Sequence, residues 1–258
     1  MKKLIQIFAL TFLVVGITSS AISQEKYTMI EASKQLLQLQ KDGKSAQKVV
    51  DFFAKASLED IQAEIKTNYQ KLAFWVNVYN GFIQYHLTKS PGLYEDRRKF
   101  FNEERIKIAG EVLSFSDIEH GIIRKSQSPI GAGYIRRIFR PRWERKLRVN
   151  HKDWRIHFAL NCGAKGCPPV AIYDPVLLDK QFDFMTKTYL DEQTTYDKKT
   201  KTAKSVSLFS WFRGDFGGKR GARKILKKYE ITPEKPKKIE FTNYDWTLAL
   251  NNYREIEL

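Results

Sequence analysis

Apolar residues recur at helical steps through the first third of the chain. Tyr27 to Gln40 carries Ile30, Leu36, Leu37 and Leu39, and Asp42-Gly43 breaks the run. Val49, Val50, Phe52 and Phe53 suit a second helix, and Ser57 stands where a cap belongs, ahead of Leu58, Ile61 and Ile65. Tyr69 to Lys89 gives the strongest signal. Leu72, Ala73, Val76, Tyr79, Phe82, Ile83 and His86 repeat every three or four positions, and Pro91-Gly92 ends the segment. Asn77 and Asn80, three apart, share a face of this helix. Asparagine is a poor helix former, so two of them beside Trp75 and Tyr79 point to polar groups aimed at something specific.

The pattern then shortens. Ile106 and Ile108 alternate, Ala109-Gly110 turns the chain and Val112 returns, which predicts a β-hairpin. Ser116 and Glu119 have the spacing of a capping box, with His120 in the first turn of the helix it would start. Ser126 to Asn150 is irregular and basic, an exposed excursion. Arg155 to Leu160 alternates Ile156, Phe158 and Leu160 with His157 and Ala159, which predicts a strand ended by Asn161-Cys162-Gly163. Asp179 to Leu190 reads as a helix, Asp191 to Lys204 as a polar loop, and Val206 with Leu208 as a further strand. Ala222 to Tyr229 reads as a short basic helix, and Ile239 to Phe241 and Tyr244 to Trp246 close the chain. No internal repeat is visible. The sum is one α+β domain, helix-rich in its N-terminal part, packed on a small, mostly antiparallel sheet that carries the Cys162 strand.

The first residues follow a different rule. Lys2 and Lys3 precede an apolar stretch from Leu4 to Val15, and Ala21-Ile22-Ser23 offers the small residues a signal peptidase reads. This predicts a signal peptide over residues 1–23, a mature domain over 24–258 starting at Gln24, and an exported protein, periplasmic or secreted. The apolar stretch is shorter than the roughly 20 residues a membrane span needs. No later stretch is longer, so no transmembrane segment is expected in the mature chain. Lys and Arg number 45 against 29 Asp and Glu, a net charge of +16, or +14 without Lys2 and Lys3. Such a surface attracts polyanions. An exported chain meets little nucleic acid, and no nucleic-acid-binding motif is present. The partners that remain are an unknown substrate, an acidic glycan or an envelope protein.

With two cysteines and four histidines, candidate chemistry is limited. Cys162 follows a predicted core strand in a glycine-bearing turn, a position that can expose a side chain on a rigid backbone. A thiolate is the nucleophilic form and a histidine can generate it, with His120 or His157 as the base and Glu119 placed to orient the imidazole. Asn77, Asn80, Asn161 and Arg124 are candidates for binding substrate or an oxyanion. The competing readings are a Cys162–Cys167 disulfide and packed, inert side chains. The histidines lack metal-ligand spacing, so no metal or other cofactor is expected. G-x-S-x-G, P-loop and H-E-x-x-H motifs are absent.

Four segments together resemble a known family: Phe74 to Asn80, Asp117 to Arg124, Arg155 to Gly163, and Tyr244-Asp245-Trp246. They look like the domain of unknown function 547, which occurs in bacteria and, fused to other segments, in plants. The resemblance spans about residues 58–246. It implies that Cys162 is the family position and Cys167 an accessory one, since plant relatives carry a similar segment without the second cysteine. By analogy it suits a papain-like or transglutaminase-like thiol site. A His120 base would put His before Cys, the reverse of the usual order in those enzymes. Two functions follow: a thiol hydrolase or acyltransferase of the cell envelope, or a non-catalytic envelope domain that binds an acidic glycan or protein.

Overall fold

A computed structural model describes residues 27–258, so the expected signal peptide and the start at Gln24 lie outside the described residues. The helices begin where capping side chains allow. Thr28, Ser57 and Thr67 form capping boxes with Glu31, Asp60 and Gln70, and so start α1 (Met29–Lys41), α3 (Leu58–Glu64) and α4 (Asn68–Lys89). Helix α2 (Gln47–Lys55) lies between α1 and α3. Helix α4 is buried nearly all round from Leu72 to Tyr85, as expected of a central helix. Helix α1 crosses it at Gly81, where a Cβ would lie 2.6 Å from Leu36 Cδ2.

Helix α5 (Arg97–Asn102) leads to the predicted hairpin, β1 (Ile106–Ile108) and β2 (Glu111–Leu113). Ala109 and Gly110 both take positive φ, 61° and 74°, as a two-residue hairpin turn requires. A second sheet has the order β3 (Thr195–Asp197), β4 (Thr202–Ser205), β5 (Lys238–Phe241), antiparallel and then parallel. The parallel step needs a crossover, which α8 (Leu208–Trp211) and α9 (Gly218–Lys228) provide. Before it come α6 (Arg142–Leu147) and α7 (Leu178–Gln193). The fold is α+β. Two apolar clusters fill it, one around α4 and one between α7, the second sheet and α9. No described helix is long and apolar enough to cross a membrane.

Four sequence expectations are corrected. Arg155–Leu160 is not a strand: Trp154–Phe158 is a tight 3₁₀ turn, with the Asp153 carboxylate capping the Arg155 N–H. The apparent alternation has another cause. Ile156 and Ala159 point into the first cluster and Phe158 into the second, so the segment is buried all round. Neither sheet therefore carries Cys162. Residues 191–204 are not all loop, because a polar, largely exposed hairpin, β3–β4, occupies them. Val206 and Leu208 form no strand: β4 stops at Ser205 and Leu208 opens α8. The basic excursion also contains α6, hidden from the pattern because its fully buried positions are Glu144 and Leu147.

Candidate functional site

The Cys162 turn is tied to α4 by asparagine. Asn80 donates to the Ala159 carbonyl and accepts from the Asn161 N–H, both at 2.8 Å. Asn161 donates to the Pro168 carbonyl at 2.8 Å and accepts from the Gly163 N–H at 2.9 Å. Asn77 makes the same two-way bond to the Tyr173 backbone, at 2.8 and 2.9 Å. Buried backbone groups away from regular structure need such partners. All three amides are thus engaged with backbone, which explains asparagine in a buried helix. None of them lines the cavity described below.

Held in this way, the turn presents two free thiols, Cys162 half-buried and Cys167 buried. The Cys162 N–H donates to Cys167 Sγ at 2.9 Å, and Tyr244 Oη donates to Cys167 Sγ at 3.0 Å. Tyr244 Oη lies 3.4 Å from Cys162 Sγ. A hydrogen bond from Cys167 holds the Cys162 thiol below its ordinary range, whereas burial pushes Cys167 well up. The pair thus favours a single thiolate, on Cys162.

Glu119 and His120 come from a widened helical turn, Asp117–Ile123. Its backbone bonds span five residues, from Arg124 N–H to Glu119 O and from Ser126 N–H to Gly121 O, both 2.8 Å. Such π-type turns are frequent at functional sites. The turn is started by Ser114 and Asp117, which exchange side chain to backbone bonds at 3.0 and 3.2 Å, not by Ser116 and Glu119. The Ser116 side chain caps nothing and faces the cavity. Glu144 packs against Gly121, where a Cβ would lie 2.8 Å from its carboxylate.

Arg124 Nη1 lies 2.7 Å from His120 Nδ1. Arginine can only donate, so Nδ1 accepts and the ring proton sits on Nε2. Burial lowers the His120 pKa to about 4, outweighing the Glu119 carboxylate that would raise it, and Arg124 adds to the lowering, so the ring is neutral. Arg124 also donates from Nε to Asp215 Oδ2 at 2.8 Å, and Lys152 donates to Asp215 Oδ1 at 2.6 Å. His157 Nε2 lies 3.0 Å from Asp215 Oδ2. Burial would push the Asp215 carboxyl up, but the His157 bond and the Arg124 charge outweigh it and hold it well below the carboxylate range. His157, kept neutral by burial, therefore donates from Nε2, and Nδ1 is its acceptor. Its ring stacks on Phe212 at 4.0 Å.

Cys162, Glu119, His120 and His157 meet on the wall of one cavity of about 350 Å³. Tyr79, Phe101, Trp211, Phe212, Tyr244 and Trp246 make the rest of it largely aromatic. Cys162 is hydrogen-bonded to neither histidine. Its sulfur instead meets Cys167, Tyr244 and the Ala164 backbone N–H. Arg124 lies behind the wall, fully buried, where it joins His120 to Asp215. Among the described residues no group of three or more His, Cys, Asp or Glu is placed to hold a metal ion.

Sequence reasoning missed Asp215. Its signal was the glycines around it. A Cβ on Gly133 would lie 2.9 Å from Asp215 N, and one on Gly214 would lie 2.5 Å from the Gly133 backbone. Two chain segments thus cross in contact at Asp215, behind His157.

No curated protein and no solved structure matches the chain. A family described as "Protein of unknown function, DUF547" matches residues 62–190, which carry α4, the π-type turn, Cys162 and most of α7, but not Asp215 or Tyr244. The match covers half of the chain and both histidines of the cavity, so the chain belongs to the DUF547 family.

Proposed function

We propose that this protein is a thiol-dependent hydrolase or acyltransferase of the cell envelope, with Cys162 as nucleophile. One observation carries the reading: a half-buried thiol with a lowered pKa shares a cavity with a histidine hydrogen-bonded to a buried, ionised aspartate. The tautomers favour His157 over His120 as base. His157 keeps Nδ1 for a proton, while the His120 acceptor is occupied by Arg124 and its Nε2–H is a donor.

In this mechanism His157 Nδ1 takes the Cys162 proton and the thiolate attacks an acyl carbon. The S–C bond forms, and the carbonyl electron pair moves to oxygen, stabilised by His120 Nε2–H. Collapse of this intermediate expels the leaving group, which takes the proton from His157. Water, or an acceptor hydroxyl or amine, then attacks the thioester with His157 again as base, and collapse breaks the S–C bond, releasing the Cys162 sulfur, which takes the proton back from His157. Asp215 orients His157, and Arg124 holds the His120 ring through Nδ1, while Glu119 accepts from Tyr79 Oη at 3.4 Å beside it. The aromatic wall suits an acyl group with a flat or apolar body. Placement in the envelope rests on the signal-peptide pattern of residues 1–23.

A second reading, non-catalytic binding of an acidic glycan or envelope protein, draws on the +14 charge left without Lys2 and Lys3 and on the partly exposed Trp211–Trp246 stack at the cavity, 5.5 Å between rings. Iodoacetamide labelling of the folded, reduced protein, paired with a chromogenic ester or thioester assay, separates the two. The thiol reading expects alkylation at Cys162 and turnover that Cys162→Ala abolishes. It expects His157→Gln to lower turnover by about 10²-fold or more. A Cys162 that stays unlabelled while denatured protein labels fully overturns it.

A further inference from the structure

The loop that locks onto Asp215 has a second face. Its neck is closed by bonds from Arg137 N–H to Ser126 O at 2.9 Å and from Ser128 N–H to Ile135 O at 2.8 Å, with a bridge between Gln127 and Arg136. Its inner side is fixed by Gly133 against Asp215 and by the Gly214 N–H bond to Ala132 O at 2.8 Å. The outer side is apolar. Phe139 is 91% exposed, Ile138 83% and Ile130 78%, and Tyr134 and Ile135 are more than half exposed. Single exposed apolar residues are ordinary, but five within one ten-residue stretch call for an explanation.

Charge accompanies them. No acidic residue stands between Glu119 and Glu144, while Arg136, Arg137, Arg140 and Arg142 interleave with the apolar side chains. Arg137 turns inward to Asp117 and Glu144. Arg136, Arg140 and Arg142 make no side-chain bond or ion pair among the described residues. Unpaired guanidinium groups alternating with exposed Ile and Phe match a surface that is anionic in its outer layer and apolar beneath it.

We propose that this loop, Pro129 to Arg142, docks the protein on an anionic lipid bilayer. Ile138, Phe139 and Ile130 enter the acyl boundary, and Arg136, Arg140 and Arg142 pair with lipid phosphates. An acidic glycan would account for the arginines but not for the bare Phe and Ile. A protein interface gathers its apolar residues into one central patch with a polar rim around it, whereas here arginines and apolar side chains alternate along the loop. The inference does not depend on the thiol chemistry. It does place the Asp215 side of the cavity next to a membrane, where a lipid-borne acyl substrate would be presented.

The test is co-sedimentation of the full-length chain with vesicles of phosphatidylcholine alone or mixed with phosphatidylglycerol. Residues 1–23 are the same in every arm, so the readout is the difference between loop variants. Binding is expected to favour phosphatidylglycerol vesicles and to weaken as salt rises. The paired change Ile138→Asp and Phe139→Asp should remove that preference. Arg136→Gln, Arg140→Gln and Arg142→Gln should each weaken binding about fivefold. These side chains are exposed or unpaired, so thermal unfolding should not shift and reports that the variants are folded. Equal binding to both vesicle types overturns the proposal. So does binding that survives the paired Asp change, or an affinity confined to acidic polysaccharide.

Discussion

At the scale of single residues, the shared proton of Cys162 and Cys167 is the most direct target. The Cys162 thiol is held below the ordinary cysteine range by Cys167. The pH profile of its alkylation, mapped by mass spectrometry, should therefore have a midpoint below that of an ordinary cysteine. Cys167 should react only at higher pH or after unfolding. Cys167→Ala should move the Cys162 midpoint up, and an unmoved midpoint would show that Cys167 is not the cause. Asp215 supports a second prediction. Asp215→Asn removes the counter-charge of buried Arg124, so it should cost about 3 kcal/mol in urea unfolding at neutral pH. Cys162, His120 and His157 were legible in the sequence because thiols and imidazoles are rare in it. Asp215 was not, because its partners Arg124 and His157 lie 91 and 58 residues away. The asparagines were legible as anomalies, but their cause is the backbone of distant turns, which no local pattern records.

At the scale of elements, the same limit separates what was readable from what was not. Helices α1 and α4 were readable from their apolar period alone, and α3 from its period with the Ser57 cap; the Thr28 and Thr67 caps agree with those periods. The Trp154–Phe158 turn was not, because its alternation of side chains comes from two cores on two sides, a tertiary fact. The start of the π-type turn gives a test. Both Ser114 and Ser116 fit a serine cap by spacing, and only Ser114 holds the Asp117 N–H. Ser114→Ala should therefore cost about 1 kcal/mol in chemical denaturation, the usual loss for an N-cap. Ser116→Ala should stay within about 0.5 kcal/mol. The opposite ranking would place the helix start where the sequence alone suggested. Gly214→Ala belongs to this scale too. Its Cβ would meet the Gly133 backbone, which cannot rotate away, so the loop must shift off Asp215. The expected cost is about 1–3 kcal/mol, with slower alkylation of Cys162 if Asp215 and His157 move with it.

At the scale of the whole molecule, the two clusters leave imidazoles in places where a charge is poorly tolerated. Burial lowers the pKa of His86 and His120 to about 4, and that of His157 as well. In the unfolded chain each would titrate near 6.5. Below that pH the unfolded chain binds protons that the folded protein refuses, so stability must fall as pH drops from about 6.5. The fall from His86 and His120 ends near pH 4, where the folded rings take protons too. A shift from 6.5 to about 4 corresponds to about 3 kcal/mol from each ring at full effect. Asp215 continues the loss at lower pH. Its carboxyl is depressed in the folded state, so its contribution is whole above the unfolded value near 4 and is lost as pH falls through the folded one. Urea unfolding at steps from neutral pH to about pH 2 should show this decline. In His120→Gln, whose amide oxygen can still accept from Arg124, the decline should be shallower by up to about 3 kcal/mol. Asp215→Asn should keep the decline between 6.5 and 4 and lose the part below it. A wild-type profile flat across that window, or an equal slope in His120→Gln, would mean that the folded ring takes a proton as readily as the unfolded chain does. His120 would then titrate like a free imidazole rather than being held as the neutral donor on which the proposed mechanism depends.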